Sequence, residues 1–167
     1  MGATRWIGGI RMKILDVCCG SKMFWYDKQE EHTTYMDIRR HHEELKTGHV
    51  IDVDPDVQAD FRSIPFDDNT FDLVVFDPPH LIYAGPNSWL AKKYGKLDKE
   101  NWPEDLKRGF DECRRVLKPS GILLFKWNED QIKFRAVITA FGQKPILGDQ
   151  RSKTRWSIFL KGDKDDS

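Results

Sequence analysis

The sequence predicts an α/β fold, a doubly wound and mostly parallel sheet with helices between its strands. Three observations carry that expectation. Short apolar runs recur along the chain, and four of them close on an acid, at Asp16, Asp37, Asp60 and Asp77. The run Phe71-Asp-Leu-Val-Val-Phe76 is nearly continuous in apolar character, as in a strand buried on both faces of a parallel sheet. The later runs are separated by helical patterns, which gives the strand–helix alternation of parallel sheets.

A chain of 167 residues fits one domain with a proper core. It contains no run of roughly eighteen apolar residues that could span a membrane, and residues 1–11 lack the long apolar core of a signal peptide. A cytoplasmic protein is therefore expected. Cys18, Cys19 and Cys113 are odd in number and have no Cys-x-x-Cys spacing, so neither a disulfide framework nor a metal centre is indicated. Basic and acidic residues number 27 each, which argues against a simple basic nucleic-acid binder. The charges are nevertheless segregated: from Asp52 to Asp77 only Arg62 opposes the acids, whereas basic residues dominate from Arg114 onward.

Residues 1–11, with Gly8-Gly9 and no period, read as a flexible lead-in to a single domain over 12–161. The first strand is Met12–Val17. Cys18-Cys19-Gly20-Ser21 follows at once, small residues that let the backbone turn tightly and approach a ligand. Lys22–Glu31, with Met23, Phe24 and Trp25, is expected as a short helix or ordered turn, and Thr33–Ile38 as the second strand. Arg40–Asp56 is polar, and its histidines read as solvated; the adjacent pair His41-His42 has the wrong spacing for one metal on a helix. Asp67-Asp68-Asn69 supplies the turn into the central strand.

After that strand, Leu81–Asn101 shows no clear period. A loop of about twenty residues in a compact domain is more often functional than idle. Its aromatics and lysines, among them Tyr83, Trp89, Lys92, Lys93 and Tyr94, suit stacking on bases and neutralising phosphates. Asn101 is placed to cap a helix with Pro103, Glu104 and Asp105 in its first turn. That helix runs through Phe110, Cys113, Val116 and Leu117 and stops at Pro119-Ser120-Gly121. Gly121–Trp127 is the next strand, Asn128–Phe141 a helix, Lys144–Leu147 a short strand and Arg155–Lys161 the last strand. The charged tail 162–167 reads as disordered.

The chemistry concentrates at Asp77-Pro78-Pro79-His80. Two prolines cannot donate to a ladder, so the strand stops and presents a carboxylate, a proline carbonyl and a flat ring at its carboxyl end. An exocyclic amine has two N–H donors and a lone pair delocalised into its ring. If Asp77 accepts one N–H and the Pro78 carbonyl the other, the lone pair is aimed at an electrophile, and His80 can stack on the ring. No strong base is needed, because the proton can leave after the new bond forms.

Asp-Pro-Pro-His resembles the (Asp/Asn/Ser)-Pro-Pro-(Tyr/Phe/Trp/His) motif of S-adenosylmethionine-dependent amino-methyltransferases, which methylate adenine or cytosine in DNA and adenine or guanine in some RNAs. The turn after the first strand is similar to that family's Asp/Glu-x-Gly-x-Gly-x-Gly motif, with Asp16 at the acidic position, Cys18 among the small residues and Gly20 as the surviving glycine. The resemblance implies a Rossmann-like seven-stranded sheet with an antiparallel last strand, and S-adenosylmethionine as cofactor. By it, Asp37 holds the ribose, about twenty residues beyond the glycine turn, while Asp60 accepts the cofactor's adenine amine and Phe61 lies against the ring. Asp37 could instead pair with Arg39 or Arg40.

The family's DNA enzymes usually carry a separate recognition domain, and this chain has no room for one. Target choice then falls to Leu81–Asn101, a basic face, or a partner subunit or second copy. A flipped base costs a few kcal/mol, which a small surface offsets poorly and which favours short sites, single strands or structured RNA. The leading expectation is methylation of adenine in DNA, as in small stand-alone bacterial and phage enzymes. The alternatives are ribosomal or transfer RNA as substrate, a small molecule, or a non-catalytic module that binds cofactor or nucleic acid.

Overall fold

The structure is a computed structural model that describes residues 12–85 and 87–162. The lead-in expected at 1–11 and all of the expected tail but Gly162 lie outside the described residues. The main sheet has seven strands in the order β5-β2-β1-β6-β7-β9-β8. In chain order these are β1 (Ile14–Asp16), β2 (Thr33–Asp37), β5 (Val57–Gln58), β6 (Phe71–Phe76), β7 (Leu117–Asn128), β8 (Leu147–Arg151) and β9 (Thr154–Leu160). β1 pairs in parallel with β2 on one side and β6 on the other, and β6 pairs in parallel with β7. β9 is antiparallel to both β7 and β8, and it lies inside the sheet rather than at its edge.

Regular alternation of strand and helix holds only in the second half of the chain. There α1 (Trp89–Tyr94) and α2 (Trp102–Val116) lie between β6 and β7 and α3 (Phe134–Phe141) between β7 and β8, while β8 leads directly into β9. In the first half the segment Lys22–Glu31, expected as a short helix or ordered turn, is a series of turns. The polar segment Arg40–Asp56, for which the sequence predicts no strand, forms a hairpin, β3 (His41–Glu44) with β4 (Val50–Val53). Its signal is the period of two in β4, where Ile51 and Val53 are buried while Val50 and Asp52 are exposed. The histidines themselves are exposed, as expected.

Other boundaries move for local reasons. Helix α2 ends at Val116 and β7 begins at Leu117, but Lys118–Gly121 is skipped in the pairing, since Phe71 faces Leu117 and Leu73 faces Ile122. Pro119 cannot bond to the ladder and Ser120 has φ +60°, so the chain bulges there and resumes pairing at Ile122. Asn101 does not cap α2 with its side chain. Asp98 Oδ1 accepts from the Asn101 and Glu100 amides instead, at 2.8 and 2.9 Å. Residues 128–133 are not helical, and β8 starts where the expected strand Lys144–Leu147 ends.

The core is built from the sheet and from the apolar stripes of α2 and α3. Phe110 of α2 stacks on Phe141 of α3 at 4.2 Å, Phe159 of the sheet meets both rings, and Phe125 meets Phe141. Lys161 is buried, with its ammonium donating to the Leu117 carbonyl at 2.8 Å and to Asn69 Oδ1 at 2.9 Å, which satisfies groups at the end of α2. Gly109 sets the approach of α2 to the site. A Cβ there would lie 2.4 Å from Phe61 Cδ2 and 2.9 Å from Phe76 Cζ. Alanine would bring about 1 kcal/mol of helix propensity, against an overpacking cost of about 1–3 kcal/mol between two rings. Gly109→Ala is therefore expected to lower stability in urea unfolding by up to about 2 kcal/mol, and a raised stability would show that Phe61 is not fixed by this contact.

Candidate active site

The sheet order reverses between β1 and β6, so the loops leaving their carboxyl ends diverge and leave a crevice, the usual ligand position in open α/β sheets. A cavity of ≈ 340 Å³ opens there, large enough for a nucleoside-sized ligand. It brings together Cys18, Gly20, Asp37, Asp60, Phe61, Asp77, Pro78, Pro79, His80, Lys93 and Tyr94. Residues separated in sequence by up to about eighty positions thus share one wall-to-wall space, because parallel strands deliver all their carboxyl ends to the same edge. Asp16, Tyr83, Trp89 and Lys92 do not line the cavity.

Each acid is held differently. Asp16 is fully buried at the end of β1, where Trp25 Nε1 donates to its Oδ2 at 2.7 Å and Oδ1 has no partner among the described residues. Burial pushes its carboxyl up to about 7, the Trp25 hydrogen bond opposes this, and the charge of Asp77 adds to it. Asp37 Oδ2 accepts from the Gly20 amide at 2.9 Å, and Oδ1 accepts from the Arg39 amide and Nε at 2.9 and 3.1 Å. Gly20 has φ +50° and open space where a Cβ would stand, so the turn after β1 leaves room for a ligand's close approach. Asp60 is clasped by Arg62, with Nη2 to Oδ2 at 2.6 Å, and this hydrogen bonding holds its carboxyl below the usual range. Arg62 also reaches Asp105 of α2 at 3.1 Å.

Asp77 ends β6 with its Oδ2 accepting from Lys126 Nζ of β7 at 3.0 Å. Burial pushes its carboxyl up, and the Lys126 charge opposes that. Burial, aided by Lys126, holds the His80 imidazole below its ordinary value, so the ring is neutral at pH 7. His80 lies 5.5 Å from the Tyr94 ring and 6.3 Å from Trp127. The long connection after His80 contains α1, capped by Ser88 and ended by Gly95 at φ +77°. Gly95 packs on Pro79, where a Cβ would stand 3.1 Å from Pro79 Cγ, and this seats Tyr94 beside His80. Arg39 Nη1 donates to the Lys92 carbonyl at 2.8 Å, so the partner of Asp37 also holds the end of α1. Lys92 is paired with Glu43 of the hairpin at 2.7 Å. Trp89 and Tyr83 are exposed, with the ammonium groups of Lys93 and Lys99 at 5.6 and 5.0 Å from their ring centroids.

Sequence reasoning missed Arg62 and Lys126 as parts of this site and offered Arg39 only as an alternative partner of Asp37, while Phe24, in the expected turn after β1, lines the cavity. For the two arginines a signal existed, since the pattern Asp-x-Arg follows both β2 and β5. Lys126 had none, because its role depends on the pairing of β6 with β7.

Among solved structures, a protein from Pyrococcus horikoshii OT3 superposes with a TM-score of 0.59 at 18% identity, covering 91% of this chain and 82% of that one. A chain from the complex of the Haloferax volcanii Trm112 methyltransferase activator with a putative methyltransferase gives 0.56 at 13%, covering 93% and 84%. An S-adenosylmethionine-dependent methyltransferase from Methanosarcina mazei gives 0.53 at 13%, covering 90% and 92%. The chain shares the α/β fold of these proteins. No protein-family model matches it, and no curated protein matches it in sequence. Among the described residues no helix is long and apolar enough to cross a membrane. Within this fold the cavity lies over the carboxyl ends of β1, β2, β5 and β6.

The raised carboxyl of Asp16 makes stability depend on pH with a definite sign. Its folded value, about 7, lies above the ordinary 3.8, so its contribution is complete below about pH 4 and is lost as pH rises through 7. Asp16→Asn removes that loss. In urea unfolding, the stability of Asp16→Asn relative to the parent is expected to rise by about 2–4 kcal/mol between pH 4 and pH 8. A difference that stays constant over that range would place the Asp16 titration elsewhere.

Proposed function

We propose that this chain is an S-adenosylmethionine-dependent methyltransferase acting on the exocyclic amine of a nucleobase, with adenine in DNA as the first substrate to test. The observation that carries the reading is that Asp77, Pro78, Pro79 and His80 line the same cavity as Gly20, Asp37, Asp60 and Phe61. The residues fit a nucleoside cofactor: two carboxylates can accept from hydroxyl and amine donors, Phe61 offers a ring face, and nothing stands where Gly20 would carry a Cβ. Asp37 and Asp60 would hold the cofactor's ribose and adenine, with Arg39 and Arg62 fixing the orientation of the carboxylates. S-adenosylmethionine, when bound, supplies a methyl group made electrophilic by a sulfonium.

The acceptor side follows from the Asp-Pro-Pro-His turn. Asp77 and the Pro78 carbonyl would accept the two N–H groups of the amine, which frees its lone pair for attack. The neutral ring of His80, with Tyr94 beside it, offers flat surfaces for the base. Stacking of this kind is worth about 1–3 kcal/mol per base. Lys93 at the cavity and the exposed rings of Trp89 and Tyr83 suit flanking phosphates and bases. Lys92 contributes less than its charge promises, since it already pairs with Glu43.

The test is transfer of label from tritiated S-adenosylmethionine to unmethylated DNA and, in parallel, to unmodified RNA, followed by nucleoside analysis. Methylated adenine in DNA is the expected product. Label confined to RNA would move the enzyme to the RNA class, and cofactor binding without label in either would sink the proposal. Asp77→Ala is expected to lower transfer by about 10²–10³-fold while the cofactor dissociation constant stays within about twofold. Asp37→Ala is instead expected to weaken the cofactor about tenfold or more, as loss of a charged acceptor does. Full turnover by Asp77→Ala would refute the proposed amine geometry.

A further inference from the structure

One charged side chain beside the catalytic motif has no part in the chemistry above. Lys126 stands on β7 directly across from Trp156 of β9, and its Nζ is 3.0 Å from Asp77 Oδ2. Two rings hold that ammonium, with centroids 5.3 Å away for Phe24 and 5.6 Å for Trp156. The rings meet each other edge to face at 5.6 Å, and Phe24 lines the cavity. A free lysine carries about 2 kcal/mol of rotamer entropy. Here the strand, the ring pair and the carboxylate fix it together, which is more order than an exposed surface pair receives.

We infer that Lys126 is a positioning residue that keeps Asp77 an anion in fixed orientation, so that Asp77 can accept from the target amine. The inference rests on the amine-methylation reading of the site. An ionised carboxylate is acceptor-only, with about four lone-pair sites. Lys126 uses one of them on Oδ2 and leaves acceptor capacity for an N–H. A protonated Asp77 would carry a donor at the place where the amine must donate. Lys126 from β7 is the charged group that acts on Asp77, and the charge of Asp77 in turn raises the Asp16 carboxyl of β1 and the Cys18 thiol just after it, while His80 follows in its own turn. Burial acts against ionisation of Asp77, and Lys126 is the cation that opposes it. The same ammonium also disfavours protonation of His80, which keeps that ring neutral for stacking.

The experiment follows the Asp77 carboxyl carbon by NMR in protein labelled with ¹³C-aspartate, across pH, for the parent and for Lys126→Met, Lys126→Gln and Lys126→Arg. S-adenosylmethionine binding, measured alongside, reports that each variant is folded. The Asp77 midpoint is expected to rise by at least about one pH unit in the Met and Gln variants, a tenfold drop in the ratio of anion to acid at a given pH. The Arg variant, which keeps the charge, is expected to stay within about half a unit. The acid limb of the pH profile for transfer to adenine-containing DNA is expected to move with the midpoint in the same variants. A midpoint unmoved in both Met and Gln variants overturns the inference, and so does a midpoint that moves without the acid limb. A parent enzyme that labels no nucleic acid at any pH overturns the function proposed above and the catalytic part of this inference, while the titration still decides whether Lys126 governs Asp77.

Discussion

Everything in this site depends on where β6 ends. Pro78 and Pro79 have no amide hydrogen to give to β1 or β7, so pairing cannot continue past Phe76 and Asp77 is left on the rim of the sheet. β1 stops in register beside it, with Asp16 opposite Val75, and turns away through Cys18, Cys19 and Gly20. The divergence of these two loops is what makes a crevice, and the parallel pairing of β2 and β5 brings Asp37 and Asp60 to the same edge. Extending β6 by even one paired residue would turn Asp77 onto a face of the sheet, because side chains alternate along a strand.

Gathering several carboxylates at one edge carries an electrostatic cost, and the fold meets it with a different partner for each. Asp37 takes a backbone amide and Arg39, Asp60 takes Arg62, and Asp77 takes Lys126. Asp16 has only the neutral Trp25 indole as a described side-chain donor, and it is the one whose carboxyl is pushed to about 7. The compensating cations come from three separate places: the loops after β2 and β5, and the middle of the sheet. The net charge of zero along the chain therefore conceals a site in which opposite charges are paired residue by residue.

The segment after His80 is tied down at several points. Gly95 rests on Pro79, Arg39 holds the end of α1, and Lys92 reaches Glu43 on the hairpin. The Leu97 amide also bonds to the Leu81 carbonyl at 2.8 Å, which closes the segment at its base. The hairpin β3–β4 thus supports the roof of the cavity as well as extending the link between β2 and β5. Arg39 touches both the Asp37 carboxylate and α1, so the cavity wall and its cover share a residue.

By itself the sequence determined the strands that carry the acids, the arrest of β6 at two prolines and the helical stripe of α2. These depend on local properties: apolar runs, missing amide hydrogens and a 3.6-residue period. The same locality makes Asp77, Gly20, Asp37 and Asp60 legible in the sequence. What depends on partners distant in sequence became visible only in the tertiary structure. The insertion of β9 between β7 and β8, the hairpin in a polar segment and the contact of Lys126 with Asp77 all arise from pairings between separate strands. In the sequence Lys92 reads as a side chain for phosphates and Arg39 as one of two possible partners of Asp37, and their engagement with Glu43 and Asp37 is decided by which loops the sheet brings together. Trp89 and Tyr83 show the converse, since a composition suited to binding left them at the surface and outside the cavity.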